Sequence, residues 1–211
     1  MPTGRMIGAR RNAEDGQYYW RITPWVMPCF TMVPPRGDHP MHGHFWVPMD
    51  DENCMAWSFD YHPVRALTEL ERQAMEAGKG VHVALIPGTY RSTANKDNDY
   101  LMDRAAQKAG HSYSGVAGFA MQDASLQESM GPVCDRTKEN LVSTDNGIIM
   151  ARLRLMRAAK ALVEKGITPP GVDPEHQKIR SVAVVLPAGT PFKEGAGEAL
   201  KAREGVAQTS V

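Results

Sequence analysis

The chain has 211 residues, enough to bury a substantial core, and its 24 Lys and Arg residues equal its 24 Asp and Glu residues. A net charge of zero creates no overall field that attracts nucleic acid or an acidic membrane surface, so neither is an expected partner. No segment approaches the roughly 20 apolar residues that span a bilayer, and the charged amino terminus has no apolar run behind it. We therefore expect a cytoplasmic protein without a membrane span.

The first third of the chain predicts antiparallel strands. Residues 17–33 are rich in aromatic and β-branched side chains, and Pro24 and Pro28 limit pairing there, which favours two extended segments with a kink between them. Residues 44–50 and 53–61 flank a short polar stop and predict a hairpin. Large apolar residues alternate with small or polar ones in its second arm, as in a sheet packed on one side.

One short and one long helix are predicted on either side of an irregular region. Thr68 and Glu71 have the spacing of a capping box, and Gly78 provides a stop for a short helix. Residues 80–120 are dominated by turn formers, so ordered but irregular structure is expected there. The stronger helix runs over 145–165. Its apolar stripe consists of Ile148, Leu155, Ala159 and Leu162.

The carboxyl-terminal segment differs in composition from the rest of the chain. From residue 187 onward it is rich in Gly, Ala and charged residues and poor in core formers, so we predict one domain over 1–186 and a flexible tail over 187–211. Strands followed by a long irregular region and a long helix form an α+β pattern with an antiparallel sheet. Cys29, Cys54 and Cys134 are odd in number and far apart, so reduced, mostly buried thiols are expected.

The first candidate site is the histidine cluster His39, His42 and His44 in GDHPMHGH. Neutral imidazoles at close spacing are ordinary ligands of iron or zinc, and an H-x-H pair on a strand points to one face. A cupin would add Glu after three or four residues and a later His, but the first Glu is Glu52 and the later segment IPGTYRS has no His. We favour histidines at the mouth of a Pro-Gly loop, bonded to backbone or solvent. An independent metalloenzyme that uses all three is the alternative.

The second candidate is the segment 119–136, FAMQDASLQESMGPVCDR, in which Asp123 precedes a short helix predicted to begin near Ser125. A carboxylate in that position caps a helix by accepting hydrogen bonds from its free amide groups. Capping is therefore the purely structural interpretation of Asp123.

A functional interpretation comes from resemblance. The pattern Q-D-x-x-x-Q-E-S-M-G-P, from Gln122 to Pro132, resembles the carboxylate segment of Rieske-type aromatic-ring oxygenase alpha subunits, most of all the phthalate-dioxygenase-like branch. Residues 6–23, 37–63 and 98–104 support the likeness, which covers about residues 4 to 180. The fold that it implies is the carboxyl-terminal half of a helix-grip (START-like) catalytic domain.

The resemblance implies an oxidoreductase that uses dioxygen on an aromatic ring, at a mononuclear Fe(II) held by two His and one carboxylate. Asp123 matches that carboxylate and is the predicted catalytic metal ligand, while Gln122 and Glu128 are expected to orient or support it. Arg10 and Arg11 are predicted to bind a substrate carboxylate, because a planar guanidinium grips a carboxylate bidentately. A solvated basic pair is the alternative.

The sequence also departs from the family's pattern. An alpha subunit begins with a Rieske domain that carries C-x-H and C-x-x-H, and neither motif occurs here. The family's two iron-binding histidines lie in D-x-x-H-x-x-x-x-H, which His39 and His44 match only numerically. We therefore expect an incomplete Fe(II) site in this chain, and the [2Fe–2S] cluster only on a missing amino-terminal part.

The expected partners follow from this pattern. They are the portion of the alpha subunit with the Rieske domain and the two histidines, a reductase, an aromatic small molecule and further copies in a homo-oligomer. We expect no oxygenase activity from the isolated chain, and the exposed apolar face of half a domain favours association. The alternative is a non-enzymatic small-molecule-binding or assembly module of helix-grip type.

Overall fold

A computed structural model describes residues 3–202, and these residues form two compact units. The first unit contains the residues up to Val47, Met55–Ala66 and the residues from Asn140 onward. The second contains Pro48–Cys54 and Leu67–Glu139. None of the helices within residues 3–202 combines the length and the apolar character needed to cross a bilayer.

The first unit is built on a six-stranded antiparallel sheet. In chain order its strands are β1 (Gly4–Asn12), β2 (Gln17–Val26), β3 (Phe30–Val33), β4 (Met41–Pro48), β5 (Cys54–Tyr61) and β6 (Val182–Pro187). The spatial order is β1-β2-β3-β4-β5, and β6 pairs with the first part of β2 while β3 pairs with its end. The α+β class with an antiparallel sheet is confirmed.

Both strand predictions are confirmed. The kink between the two extended segments lies between β2 and β3, where the peptide bond before Pro28 is cis. At the tip of the β4–β5 hairpin, the Oδ1 atom of Asp50 accepts hydrogen bonds from the backbone N–H groups of Glu52 (2.8 Å) and Asn53 (2.7 Å). An aspartate that accepts hydrogen bonds from the following amides stabilises a tight turn, which explains why these polar residues end β4 and connect it to β5.

The core of the first unit lies on one face of the sheet, which we call the core face. Ile22 of β2 and Val182 of β6 pair in register and are completely buried. Ala196 and Leu200 pack against them, with exposed fractions of 0 % and 5 %. Burying these side chains removes apolar surface from water, so this cluster is a main source of stability in the unit.

The flexible tail predicted from residue 187 is not observed as far as residue 202. A short helix, α5 (Phe192–Gly195), follows β6 and places the Phe192 ring 5.2 Å from the ring of Trp20. Composition did not reveal these contacts, because Ala196 and Leu200 are the only buried residues between positions 188 and 202. Residues 203–211 of the predicted tail lie outside the described residues.

The long helix predicted over 145–165 is confirmed as α4 (Asn146–Lys165), and it ends at Gly166 in the left-handed conformation. It approaches β1 on the opposite face of the sheet, which we call the helix face. A Cβ atom on Gly147 would lie 2.7 Å from the Cδ1 atom of Ile7, so a glycine permits this close approach. The Nη1 atom of Arg154 donates a hydrogen bond to the carbonyl oxygen of Gly4 (3.2 Å).

The apolar stripe of α4 is largely uncovered. No residue of the helix is buried, and the side chains of Ile148, Leu155 and Leu162 are between 38 % and 46 % exposed. An apolar stripe on a helix ordinarily faces a core, so this one is a surface suited to further packing.

The second unit is helical and irregular. It contains α1 (Glu69–Glu76), α2 (Arg104–Lys108) and α3 (Phe119–Ser129), with a 3₁₀ segment at Lys96–Leu101. Its core consists of Tyr100, Val116 and Met121, with Val83, Ala94, Met102 and Ala124 packed against them.

Two predictions for the second unit are confirmed. The capping box of α1 is present, because the Thr68 hydroxyl accepts from the N–H of Glu71 (3.2 Å) and the Glu71 carboxylate accepts from the N–H of Thr68 (2.7 Å). The region from 80 to 120 is ordered but irregular, since turns and short helical segments make up most of it.

The cysteines form no disulfide among the described residues, and they are less buried than expected. Cys29 and Cys134 are partly exposed, and Cys54 is exposed because it begins β5 at the hairpin end. Burial of part of its surface raises the pKa of the Cys29 thiol.

Candidate functional site

Asp123 lies inside a helix and not in front of one. α3 begins at Phe119, directly after Gly118 in a positive-φ conformation (81°), so the predicted start near Ser125 was wrong. The Ser125 hydroxyl donates to the carbonyl oxygen of Gln122 (2.8 Å) and thus bonds within the helix. Because Asp123 is in the second turn, it does not cap the helix, and helix capping is therefore excluded as its structural role.

The carboxylate of Asp123 faces away from the core of the second unit. Met121 and Ser125 are the buried residues of α3, and each lies two positions from Asp123, which is about 160° around the helix axis. The Asp123 side chain is exposed and has no hydrogen-bond or ion-pair partner among residues 3–202. A charged side chain in this state is available to a ligand.

The surface around Asp123 is mostly apolar, with the exposed Gln127 as its polar neighbour. Phe119, Leu126 and Met130 occur four residues before, three after and seven after Asp123, which puts them on the same side of α3. All three are large, exposed hydrophobic residues. We call this surface, with Asp123 within it, the Asp123 face. An exposed apolar surface around one carboxylate is typical of a surface that another chain segment covers.

The opposite side of α3 is anchored by side-chain hydrogen bonds. The Nε2 atom of Gln122 donates to the carbonyl oxygen of Val116 (3.2 Å). The Tyr100 hydroxyl donates to the Oε2 atom of Glu128 (2.6 Å), and burial, with this bond to a carboxylate, raises the pKa of Tyr100 to about 12. Gln122 and Glu128 therefore hold the helix that carries Asp123.

The histidine cluster does not form a metal site. His42 and His44 lie at the beginning of β4, whereas His39 is in the turn before this strand and is exposed. The Nδ1 atom of His42 is 3.2 Å from the carbonyl oxygen of Pro40, and that of His44 is 3.1 Å from the Ser58 hydroxyl. Across the described part of the chain, no three or more His, Cys, Asp or Glu residues are grouped so that they could hold a metal ion.

Arg10 and Arg11 point to opposite faces of β1. Arg10 shares the core face with its register partner Trp20, and its guanidinium carbon is 4.3 Å from the centre of the Tyr18 ring. This is a cation–π contact. Arg11 pairs with Tyr19 and lies on the helix face. The two side chains therefore cannot share one pocket.

The helix face carries two further arginines that sequence reasoning missed. Arg5 and Arg21 point to the same face as Arg11, because paired residues of antiparallel strands share a face and Arg21 pairs with Ala9. The buried Nε atoms of both, and the buried hydroxyl of Tyr19, have no hydrogen-bond partner among the residues that the structure describes. The sequence signal that could have shown this is the alternation of side chains between the two faces along β1 and β2. We call Arg5, Arg11 and Arg21 the arginine face.

The electrostatics of the arginine face are one-sided. β1 and β2 contain no Asp or Glu, so no acidic side chain of these strands offsets the three cations. Burial, together with the neighbouring charge of Arg5, lowers the pKa of Arg154 on α4. A positive surface with buried N–H and O–H groups to satisfy is suited to an anionic ligand.

Comparisons with known proteins identify a family and two similar oxygenase subunits. Residues 5–207 match a family described as "LigXa C-terminal domain like". The chain is 30% identical over 187 residues to the 3-chlorobenzoate-3,4-dioxygenase oxygenase subunit of Comamonas testosteroni, which covers 82% of this chain and 43% of that protein. It is also 30% identical over 156 residues to the phthalate 4,5-dioxygenase oxygenase subunit of Pseudomonas putida, covering 74% and 34% respectively.

The chain thus spans less than half the length of these two relatives. The family match extends over nearly the whole chain, and the resemblance of the Asp123 segment to Rieske-type subunits agrees with both relatives. The chain therefore belongs to the LigXa C-terminal-domain-like family and is the carboxyl-terminal catalytic part of a Rieske-type oxygenase subunit.

Proposed function

We propose that this chain contributes one ligand, Asp123, to the mononuclear Fe(II) site of an oxygenase that acts on an aromatic acid. The observation that carries the proposal is the carboxylate itself, which is exposed and has no partner among residues 3–202. A carboxylate oxygen is a suitable donor for ferrous iron, so the residue fits the role. When bound, ferrous iron supplies the chemistry of dioxygen activation.

The remaining ligands come from another portion of the subunit. In this proposal that portion supplies two histidines and a [2Fe–2S] cluster, a reductase delivers electrons to the cluster, and the subunits associate as a homo-oligomer. The support is the apolar Asp123 face, together with relatives that are more than twice as long as the matched segment. One carboxylate alone holds ferrous iron weakly, so the isolated chain is expected to be inactive as an oxygenase.

The arginine face binds the carboxylate of the aromatic substrate. Both relatives are named for aromatic carboxylates, chlorobenzoate and phthalate. Arg11 and Arg21 lie on neighbouring strands, and Tyr19 is the register partner of Arg11 and precedes Arg21 by two residues on the same face. Charge-assisted bonds from such donors orient an anion. Arg21 thus replaces Arg10 in the predicted pair, because Arg10 stacks on Tyr18 on the opposite face. The role of these residues in this proposal is to hold the carboxylate of the substrate.

The test is the substitution Asp123→Asn, which keeps the size of the side chain and removes its charge. Glu76→Gln is the matched control, because Glu76 is an exposed carboxylate on α1 of the same unit. Each variant is assembled with the portion of the subunit that carries the two histidines, and bound iron and substrate turnover are measured. Asp123→Asn should lose iron and turnover while Glu76→Gln keeps both. Iron bound at the wild-type level by Asp123→Asn would refute the proposal.

The alternative, a binding module without iron chemistry, is favoured by one observation. The Nε atom of Arg21 and the hydroxyl of Tyr19 have no partner within the described residues, although the Nη2 atom of Arg21 donates to the carbonyl oxygen of Pro34 (3.0 Å). These two groups lie on the sheet of the first unit and need no metal to bind an anion. That function predicts that phthalate binds equally well with and without iron, and that Asp123→Asn leaves its affinity unchanged. Calorimetric titration of both forms separates the two functions.

A further inference from the structure

Glu128 occupies an unfavourable place in α3. The helix ends at Ser129, so Glu128 is in the last turn, where the helix dipole disfavours a negative charge. The last turn contains no basic residue. The Tyr100 hydroxyl, 2.6 Å from the Oε2 atom, supplies the donor that this carboxylate needs.

Tyr100 reaches Glu128 from an unusual backbone conformation. Asp99, Tyr100 and Leu101 have φ angles of 52°, 56° and 52°, in the left-handed region that residues other than glycine rarely adopt. Such a conformation persists only where its surroundings enforce it. Here the N–H of Tyr100 donates to the carbonyl oxygen of Asn95 (2.9 Å), and Asn95 itself is held by Asn98.

The bond acts on the orientation of α3. Glu128 follows Asp123 by five residues, which is about 140° around the helix axis, so a restraint at Glu128 keeps Asp123 turned outward. Towards the start of α3, Gln122 donates to the carbonyl oxygen of Val116 (3.2 Å), and the remaining contacts on the inner side are apolar, through Met121 and Ala124. The Glu128 bond is therefore the directional contact at the end of the helix. Apolar packing has no directional preference, whereas a hydrogen bond weakens steeply when its angle changes.

We propose that Tyr100 is a positioning residue that orients the metal ligand Asp123 by holding Glu128 on the opposite side of α3. The proposal rests on the proposed function of Asp123 as an iron ligand. Tyr100 acts as a neutral donor, and burial with the Glu128 bond raises its pKa to about 12, so the hydroxyl keeps its proton at physiological pH.

The first test measures amide hydrogen exchange of residues 119–129 in the chain. Tyr100→Phe removes the hydroxyl and keeps the ring, and Tyr113→Phe is the matched control because Tyr113 is 98 % exposed. Tyr100→Phe should speed exchange in α3, and Tyr113→Phe should not. Unchanged exchange in the Tyr100→Phe variant would overturn the proposal.

The second test uses Glu128 and guards against a Tyr100 variant that fails to fold. Glu128→Gln keeps a carbonyl oxygen that accepts the Tyr100 hydrogen bond, and Glu128→Ala does not. In the chain assembled with the two-histidine portion, Glu128→Ala should weaken Fe(II) binding roughly 10-fold, and Glu128→Gln should restore most of that loss.

The outcomes separate the two proposals. If Asp123→Asn retains iron, the proposed function fails. If Asp123→Asn loses iron while Glu128→Ala binds it as tightly as Glu128→Gln, only the positioning role fails. An iron affinity that falls in the order wild type, Glu128→Gln, Glu128→Ala supports the positioning role. The glutamine has lost the charge but still accepts the Tyr100 hydrogen bond, and a loss of helix stability alone would not separate it from the alanine.

Discussion

Leu200→Ala tests whether the carboxyl-terminal segment belongs to the core. Leu200 is 5 % exposed and packs with Ile22, Val182 and Ala196, so the substitution removes a buried side chain and leaves a cavity. Buried Leu→Ala changes cost about 2–5 kcal/mol. We expect the lower part of that range, about 2–3 kcal/mol, because a segment near the end of the described chain relaxes more readily than a central strand.

The measurement is urea unfolding of the chain, followed by circular dichroism. With a slope of about 2 kcal/mol per molar urea, the midpoint should fall by roughly 1–1.5 M. Leu162→Ala is the control, because Leu162 on α4 is 46 % exposed and its truncation should shift the midpoint by less than about 0.5 M. Equal midpoints for wild type and Leu200→Ala would refute the packing of this segment and restore the flexible tail.

Two further predictions concern charge. Arg21→Gln should weaken phthalate binding about 10- to 100-fold in calorimetric titration of the assembled subunit. Arg10→Gln is the control and should leave the affinity unchanged. If only Arg10→Gln weakened binding, Arg10 and not Arg21 would be the residue that binds the substrate. Hydrogen bonding from His62, with Arg65 nearby, lowers the pKa of Asp38. The contribution of ionised Asp38 to the stability of the folded chain is therefore complete above the unfolded-state pKa of an aspartate, about 3.9. It is lost as the pH falls through the lower pKa of Asp38 in the folded chain. The difference in urea midpoint between wild type and Asp38→Asn should shrink below about pH 4. A constant difference down to pH 2.5 would contradict this assignment.

Local patterns predicted most of the secondary structure. The β4–β5 hairpin, the capping box of α1 and the length of α4 depend on neighbouring residues, and all three are observed. The start of α3 was missed because a glycine with positive φ at position 118 begins it, and glycine in a sequence equally indicates a turn. The core role of Leu200 was missed because its partner Ile22 lies far away in the sequence.

The candidate site was only partly predictable. The resemblance of its segment made Asp123 a candidate ligand, but the hydrogen bond from Tyr100 to Glu128 of the same helix joins residues 28 positions apart and was not predicted. The arginine face required the register of β1 and β2, because a shift of one residue would exchange Arg10 and Arg11 between the two faces. Pairing register is a tertiary property, so adjacency in sequence could not show that Arg10 and Arg11 lie on opposite faces of the sheet.

The uncovered stripe of α4 has a consequence for the lifetime of the chain. A helix of 20 residues that buries none of them gains little stability from packing, so it opens locally at a small free-energy cost. Proteases cleave such transiently opened segments in proportion to how often they open. A partner segment that covers the stripe would suppress opening, and the abundance of this chain in a cell would then follow the supply of that partner. The same leucines that favour association would mark unassembled copies for degradation.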